Sequence, residues 1–492
     1  MTAPPTLPIL RLPRQLSVLE IWGFALSGLL LWLGPAPAMN AALGPQAIWV
    51  WIPAAIAGIL LNLQVKRLGH YLPNMSGGTP NYTTHLLRRH PFLARYGAIG
   101  YFLGWVSVPA MNSIILTELI AAQLEPLGIA CPETLLKIMF TAIPFMVALS
   151  GTRALGILHL CFVVPAVGFM VVLCTQGLGW LAIAPQSPDF FPGAWGSFSL
   201  PLWAKWFFLA VYAAYGCETA SSFIADNRKP AASLRSLTFA AVLLPIVYIG
   251  GSWLLMRLAT DPALGSNAFL QLTAVALPVW GPWASLVVTF LIASACLLSS
   301  ATAVSNTARL LYQMALDGYL APLFAVVSRQ GAFGPGVLFT LALSLLCLLW
   351  GNVASVVMVT GTGYLCGMIA IHWGLWLRRR DPEVFLPRWA LLFCGVEIFV
   401  LIVGGLAWSV PELLLGLALP LAVLGLDRLI AVMPLGPFQV QWWVRLYRVK
   451  SSQDFKNFLA IQISVLIGLI SLATPVGWCS YPPPPGEPLG PQ

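Results

Sequence analysis

The chain reads as a succession of long apolar runs separated by short polar segments. By length, the runs fall near 18–38, 48–66, 97–121, 135–150, 154–176, 203–224, 238–259, 282–306, 335–351, 353–377, 388–408 and 411–430. Helices of this length and apolarity predict spans of the bilayer's hydrocarbon core, which is roughly 30 Å thick. A weaker thirteenth run at 457–474 suits either a span or an interfacial helix. Beyond it, 475–492 is proline-rich, so extended and without a core. Near the N-terminus, Arg11, Arg14, the first run and Ala36-Pro37-Ala38 imitate a secretory signal. Glu20, Pro35 and Pro37 fit a retained, interrupted helix better.

Composition agrees with the runs. Hydrophobic residues make up 59% and charged residues 8%, where a soluble domain carries about 25% charged. The net charge of +9 does not cluster on a soluble face, which argues against nucleic acid as a partner. It tracks membrane topology instead. With the N-terminus inside, 22 of the 25 basic residues fall on inner segments, and only Lys137, Lys205 and Arg257 lie at outer ends. That is the lysine and arginine bias of cytoplasmic loops. It predicts twelve spans in a multi-pass protein of the plasma or inner membrane.

Several chemistries are excluded on the same reading. Nine cysteines show no metal-ligand spacing, and seven of them (Cys161, Cys174, Cys217, Cys296, Cys347, Cys366 and Cys394) lie in apolar runs, where Cys behaves as a small hydrophobe. There is no histidine cluster, no serine–histidine–aspartate set and no phosphate-binding loop for ATP. Neither enzyme, metal nor cofactor is expected. The inner connections are too short to hold a soluble domain.

One run breaks the apolar pattern. At 212–230 the sequence YAAYGCETASSFIADNRKP places Gly216, Cys217 and Glu218 inside the sixth run. A carboxylate at the bilayer centre costs roughly 2.5–3.5 kcal/mol on insertion scales, so it rarely persists there without a role. A glycine beside it weakens the helix at the same point, and helices broken near the midplane are how secondary transporters build binding sites.

Three stretches together resemble the amino acid–polyamine–organocation superfamily, amino acid permease family. In the sixth run Tyr212, Gly216, Glu218 and Lys229-Pro230 match an aromatic, a glycine break, a glutamate and an inner turn. The segment LPNMSGGTPNYTTHLLRR (72–89) is similar to the family's inner end of helix 2. SNTARLLYQMALDGYLAPLF (305–324) is similar to its helix 8 exit. Physical reasons underlie these motifs: Gly77 and Gly78 permit positive φ, and Asp317-Gly318 with Pro322 signals a turn. Arg309 is expected at the inner interface, within reach of phosphate or loop carboxylates. The resemblance covers about 18–430.

The resemblance implies an all-α, five-plus-five inverted repeat with broken helices 1 and 6. Repeat one would be 18–176 and repeat two 203–377, with helices 11 and 12 at 388–430. A cytoplasmic segment 1–17 would precede them, and a cytoplasmic connection 431–456 would follow. It further implies substrate contacts from Ser27, Gly28 and Leu29 in the first run and from Tyr212, Tyr215, Gly216 and Cys217 in the sixth. The chain departs from the family where Gly28-Leu29-Leu30 replaces the usual Gly-Ser-Gly. That makes close backbone approach to a carboxylate harder and brings Leu30 toward the pocket.

Coupling falls to few residues. Glu218 is either proton-linked or a hydrogen-bonded carboxylate at a helix break. His159, the titratable side chain of the fifth run, is either a proton carrier or a satisfied structural histidine. Ser299, Ser300 and Thr302 of the eighth run form a possible sodium site. Glu118 is expected near the outer interface, and Glu397 in a partner contact or a bundle-facing hydrogen bond rather than in transport. The function implied is proton-coupled or exchange transport of an amino acid or amine by alternating access. Alternatives are another small solute (polyamine, nucleobase, cation) or a transport-deficient sensor or accessory subunit.

Overall fold

The structure, a computed structural model, describes residue 12 and residues 14–149, 151–328, 331–351 and 353–449. The run at 457–474, the tail at 475–492 and most of 1–17 lie outside the described residues. The architecture is helical throughout, and the β pairing among the described residues is one isolated bridge, Leu16 with Asn227.

Each of the twelve apolar runs falls on a helical stretch, to within one residue at its ends among the described residues. The first is α1 (Val18–Ser27), a 3-10 segment (Gly28–Leu33) and α2 (Pro35–Leu43), followed by α3 (Ala47–Tyr71). A short α4 (Thr79–Leu86) precedes α5 (Pro91–Leu124), α6 (Glu133–Leu149) and α7 (Thr152–Ile183). Next comes α8 (Leu200–Ala214), which passes into a 3-10 segment (Gly216–Asp226). After it run α9 (Pro230–Leu258), α10 (Ala268–Trp280) and α11 (Ala284–Leu316). The last are α12 (Gly334–Trp350), α13 (Val353–Leu377), α14 (Pro387–Trp408), α15 (Val410–Val432) and α16 (Val440–Val449).

Among the described residues nine stretches are long and apolar enough to cross a membrane. The difference from twelve has local causes. Runs one and two join without a long break, turning at Gly44 (φ 51°), into one stretch of 54 residues. α6 has 17 residues, and Gly334–Trp350 is a shorter apolar helix.

Helix starts follow local chemistry. Ser17 and Glu20 form a reciprocal capping box that opens α1. Asn267 caps α10 by accepting from the Phe269 and Leu270 amides. Ser409 does the same for α15 through the Glu412 amide. α16 docks through Tyr447, whose hydroxyl accepts from the Gly334 amide at 2.8 Å. Burial pushes the Tyr447 phenol up to about 12, so it stays neutral there.

The closest helix approach joins α5 and α13. A methyl group on Gly100 would lie 2.2 Å from the Gly363 carbonyl oxygen, and one on Gly367 would lie 2.7 Å from that of Gly97. Small residues at such spacing let membrane helices pack backbone to backbone. On Gly104 a methyl would meet the Tyr364 side chain at 2.6 Å, so this glycine seats the tyrosine ring.

Candidate functional site

The site begins where two α-helices change pitch. α1 ends at Ser27 and continues as a 3-10 turn from Gly28, while α8 ends at Ala214 and continues as 3-10 from Gly216. The two breaks touch. A methyl group on Gly28 would lie 2.3 Å from the Cys217 nitrogen, and one on Gly216 would lie 3.1 Å from the Gly28 oxygen. The first contact leaves no room for a Cβ, so glycine is needed at 28 for close approach, and the second is tight. Tyr248 of α9 ties the breaks together, donating to the Ala213 carbonyl at 2.8 Å with the Gly28 carbonyl 3.2 Å away.

Glu218 lies on the 3-10 segment and is fully buried. Thr79 donates to its Oε2 and Tyr101 donates to its Oε1. Ser221 Oγ stands 3.5 Å from Oε2. Among the described residues no lysine or arginine pairs with this carboxylate. The network extends further: Asn306 Nδ2 is 3.5 Å from the Tyr101 hydroxyl, and Ser222 donates to Asn306 Oδ1 at 2.5 Å. A buried polar network of this kind fixes geometry when all its members are satisfied.

The Ser-Gly-Gly motif is what brings Thr79 there. Gly77 (φ 78°) and Gly78 (φ 59°) both adopt the left-handed region. A methyl on Gly78 would lie 2.1 Å from Ser221 Oγ. The Gly77 amide donates to the Ser222 carbonyl at 3.3 Å. The loop before α4 is therefore laid directly on the broken half of the sixth span.

The remaining expected residues divide into groups. Ser27, Gly28 and Leu29 are buried along the first break, with Ser27 Oγ donating to the Phe24 carbonyl at 2.8 Å. It is Leu31 whose Cδ1 packs on Gly216, 2.5 Å from where a Cβ would stand, rather than the expected Leu30. Cys217 is buried at the crossing. Tyr212 donates to the Gly104 carbonyl at 2.8 Å and meets the Tyr364 ring edge-on at 5.2 Å. Tyr215 points elsewhere, donating to Glu397 Oε1 of α14 at 2.7 Å.

The eighth-run hydroxyls do not converge. Ser299 and Ser300 each lie 2.9 Å from Asn112 Nδ2 of α5. Thr302 faces the other way, 2.5 Å from His159 Nε2. The second ring nitrogen of His159 lies 2.8 Å from the Leu155 carbonyl, so Nδ1 carries a proton. Its Cβ abuts Gly23 of α1 and its ring is 4.6 Å from that of Phe24. His159 thus sits where α1, α7 and α11 meet.

Arg309 departs from expectation. It does reach a carboxylate, but it is 1% exposed rather than lying open at an interface. It pairs with Asp226 Oδ2 at 2.6 Å and donates to Thr152. Its guanidinium also lies 4.5 Å from the Phe223 ring and 5.0 Å from that of Phe333. The chain before α1 closes the same end, through the Leu16 amide on the Asp226 carbonyl (3.1 Å) and the Arg228 amide on that of Leu16 (3.2 Å). Glu118 is exposed, as expected, and Glu397 is buried in side-chain hydrogen bonds.

Sequence reasoning did not single out Thr79, Tyr101, Asn112, Tyr248 or Asn306. Asn112 and Asn306 left a signal, since each is an amide within an apolar run. Tyr101 and Tyr248 left none, because a tyrosine in such a run has the pattern of ordinary packing.

These features define a polytopic helical membrane protein with a polar site buried at two crossing helix breaks. The family model described as amino acid permease matches residues 16–433, and the chain belongs to that family. Curated relatives include D-serine/D-alanine/glycine transporters of Escherichia coli K12, O6:H1 and O157:H7. Each is 22% identical over 400 residues, covering 78% of this chain and 79% of the relative.

Proposed function

We propose that this amino acid transporter is a secondary active permease for a small neutral amino acid, working by alternating access in the plasma membrane. The observation that carries the reading is the contact of Gly28 with Gly216 and Cys217 beside a buried carboxylate. Half-helices that end at such breaks offer unpaired backbone groups and dipole ends to a charged substrate. The tight crossing, with Leu31 packed on Gly216, favours a substrate with a small side chain. The relatives' names, D-serine, D-alanine and glycine, agree with that size.

In this reading the chain crosses the bilayer twelve times with its N-terminus inside, as a five-plus-five repeat over 18–176 and 203–377. Tyr212 covers the substrate. Glu218 takes up and releases the coupling proton, and His159 between α1, α7 and α11 is a second proton-linked group. Asp226 and Arg309 latch the inner end. Ser299, Ser300 and Thr302 serve Asn112 and His159 in this conformation, which favours protons over sodium as the coupling ion.

A second reading, a transport-deficient sensor, draws on Leu31 packing against Gly216. Binding of labelled glycine, D-alanine and D-serine to the purified chain tests the site. Binding that Gly216→Leu abolishes supports the crossing as the site. Absence of binding by the wild type across a panel of amino acids contradicts both readings.

A further inference from the structure

The broken span carries a second buried polar cluster on its opposite side. Tyr215, just before the Gly216 break, donates to Glu397 Oε1 at 2.7 Å. Glu397 Oε2 lies 2.9 Å from His372 Nδ1 of α13. Exposure is 0% for Tyr215, 1% for Glu397 and 0% for His372. The other ring nitrogen, His372 Nε2, is buried and meets no hydrogen-bonding group of the protein. The groups facing the pair are Tyr215 from the end of α8 and Cys394 from α14, the helix that carries Glu397. The rings of Tyr215 and Phe393 lie 6.2 Å and 5.9 Å from that of His372. Among the described residues no lysine or arginine pairs with Glu397 or His372.

We infer that Glu397 and His372 form an intramembrane proton-binding site, tied to the helix break through Tyr215. The argument is one of charge. An ionised carboxylate beside a neutral imidazole leaves a net negative charge inside the bundle, which is unfavourable there. One added proton makes the cluster neutral, as carboxylate and imidazolium joined through Nδ1–H and Oε2. The proton that distinguishes the two states is on Nε2, the nitrogen without a partner. It arrives and leaves there, and in this conformation it has no acceptor to leave to. A purely structural ion pair would have no need of an unsatisfied buried donor.

The link to the break is short, one hydrogen bond to Tyr215, which precedes Gly216 in the chain. The Tyr215 side chain bonds Glu397, while its carbonyl accepts from the Glu218 amide at 3.2 Å. A change in charge at Glu397 is therefore felt at the residue preceding Gly216. As a coupling site the inference rests on the transporter reading above, but proton binding itself does not.

The test uses the full chain in lipid nanodiscs with 15N-labelled histidine. The sequence has five histidines, and His372→Gln identifies the His372 ring signals. We expect the ring to pass between a neutral and a protonated form with one midpoint, the added proton appearing at Nε2. Glu397→Gln removes the carboxylate and lowers the midpoint by at least about one pH unit. Should that variant fail to fold, Tyr215→Phe carries the test: with one donor fewer the carboxylate is less well stabilised, it attracts the imidazolium more strongly, and the ring midpoint moves. A ring that stays in one form throughout the titration, or that ignores both variants, overturns the site. Glycine uptake into proteoliposomes is the second arm. Its pH dependence flattens in His372→Gln and returns when Glu397→His is combined with His372→Glu. Titration without any amino acid uptake refutes the transporter reading and leaves the proton site standing. Uptake whose pH dependence survives His372→Gln overturns the coupling role.

Discussion

Glu218 and Arg309 show how differently a buried charge can be handled in one protein. Glu218 has hydroxyl donors and no cation, whereas Arg309 is matched by Asp226, Thr152 and two aromatic faces. A carboxylate held only by neutral donors can change its proton occupancy without breaking an ion pair. Glu218→Gln is expected to remove the dependence of uptake on a pH gradient while sparing amino acid exchange. Uptake that still follows the gradient in this variant would contradict the assignment. Arg309 is expected to act through stability. Arg309→Ala strands Asp226 in a buried setting, a loss of about 3–5 kcal/mol, visible as a lower thermal midpoint. Asp226→Asn in the same chain should recover part of it. Glu218 was legible in the sequence because an ionisable group in an apolar run is costly. Its donors were not: Thr79 arrives from a loop, and Tyr101 reads as packing.

Between elements, contact distance decides which glycines matter. Gly100 meets the Gly363 carbonyl, whereas Gly168 of α7 has open space around its missing Cβ. Gly100→Ala should destabilise the protein by about 1–3 kcal/mol through overpacking. Gly168→Ala should be neutral or slightly stabilising, since alanine favours helix. Equal melting shifts for the two would contradict backbone contact between α5 and α13. The twelve runs showed where helices form, because apolar length alone sets them. The breaks were legible as glycines at 28 and 216. Their 3-10 character was not, since the choice between α and 3-10 is settled by the packing of Gly28 against Cys217 and of Gly78 against Ser221. For the same reason the serine pair and Thr302 were read as one site although they face different helices.

For the whole molecule, the basic residues imply a direction. The turn after α4 bears Arg88 and Arg89, both exposed, and the turn after α5 bears Glu125, also exposed. With the N-terminus inside, Arg88→Cys should react with an impermeant maleimide only from the cytoplasmic side, and Glu125→Cys only from outside. Labelling of both from one side would overturn the topology. At this scale the sequence was most informative, because membrane insertion responds to apolar length and basic loops, both of which are one-dimensional. The central claim joins all three scales: a small amino acid crosses at the contact of Gly28 with Gly216 and Cys217, driven through Glu218. Its most direct test is uptake of labelled glycine, D-alanine and D-serine into proteoliposomes holding the full chain under an inward proton gradient. The account predicts uptake above protein-free vesicles, abolished by Gly28→Leu and made independent of the gradient by Glu218→Gln. No uptake of any of the three, or uptake indifferent to both substitutions, would contradict it.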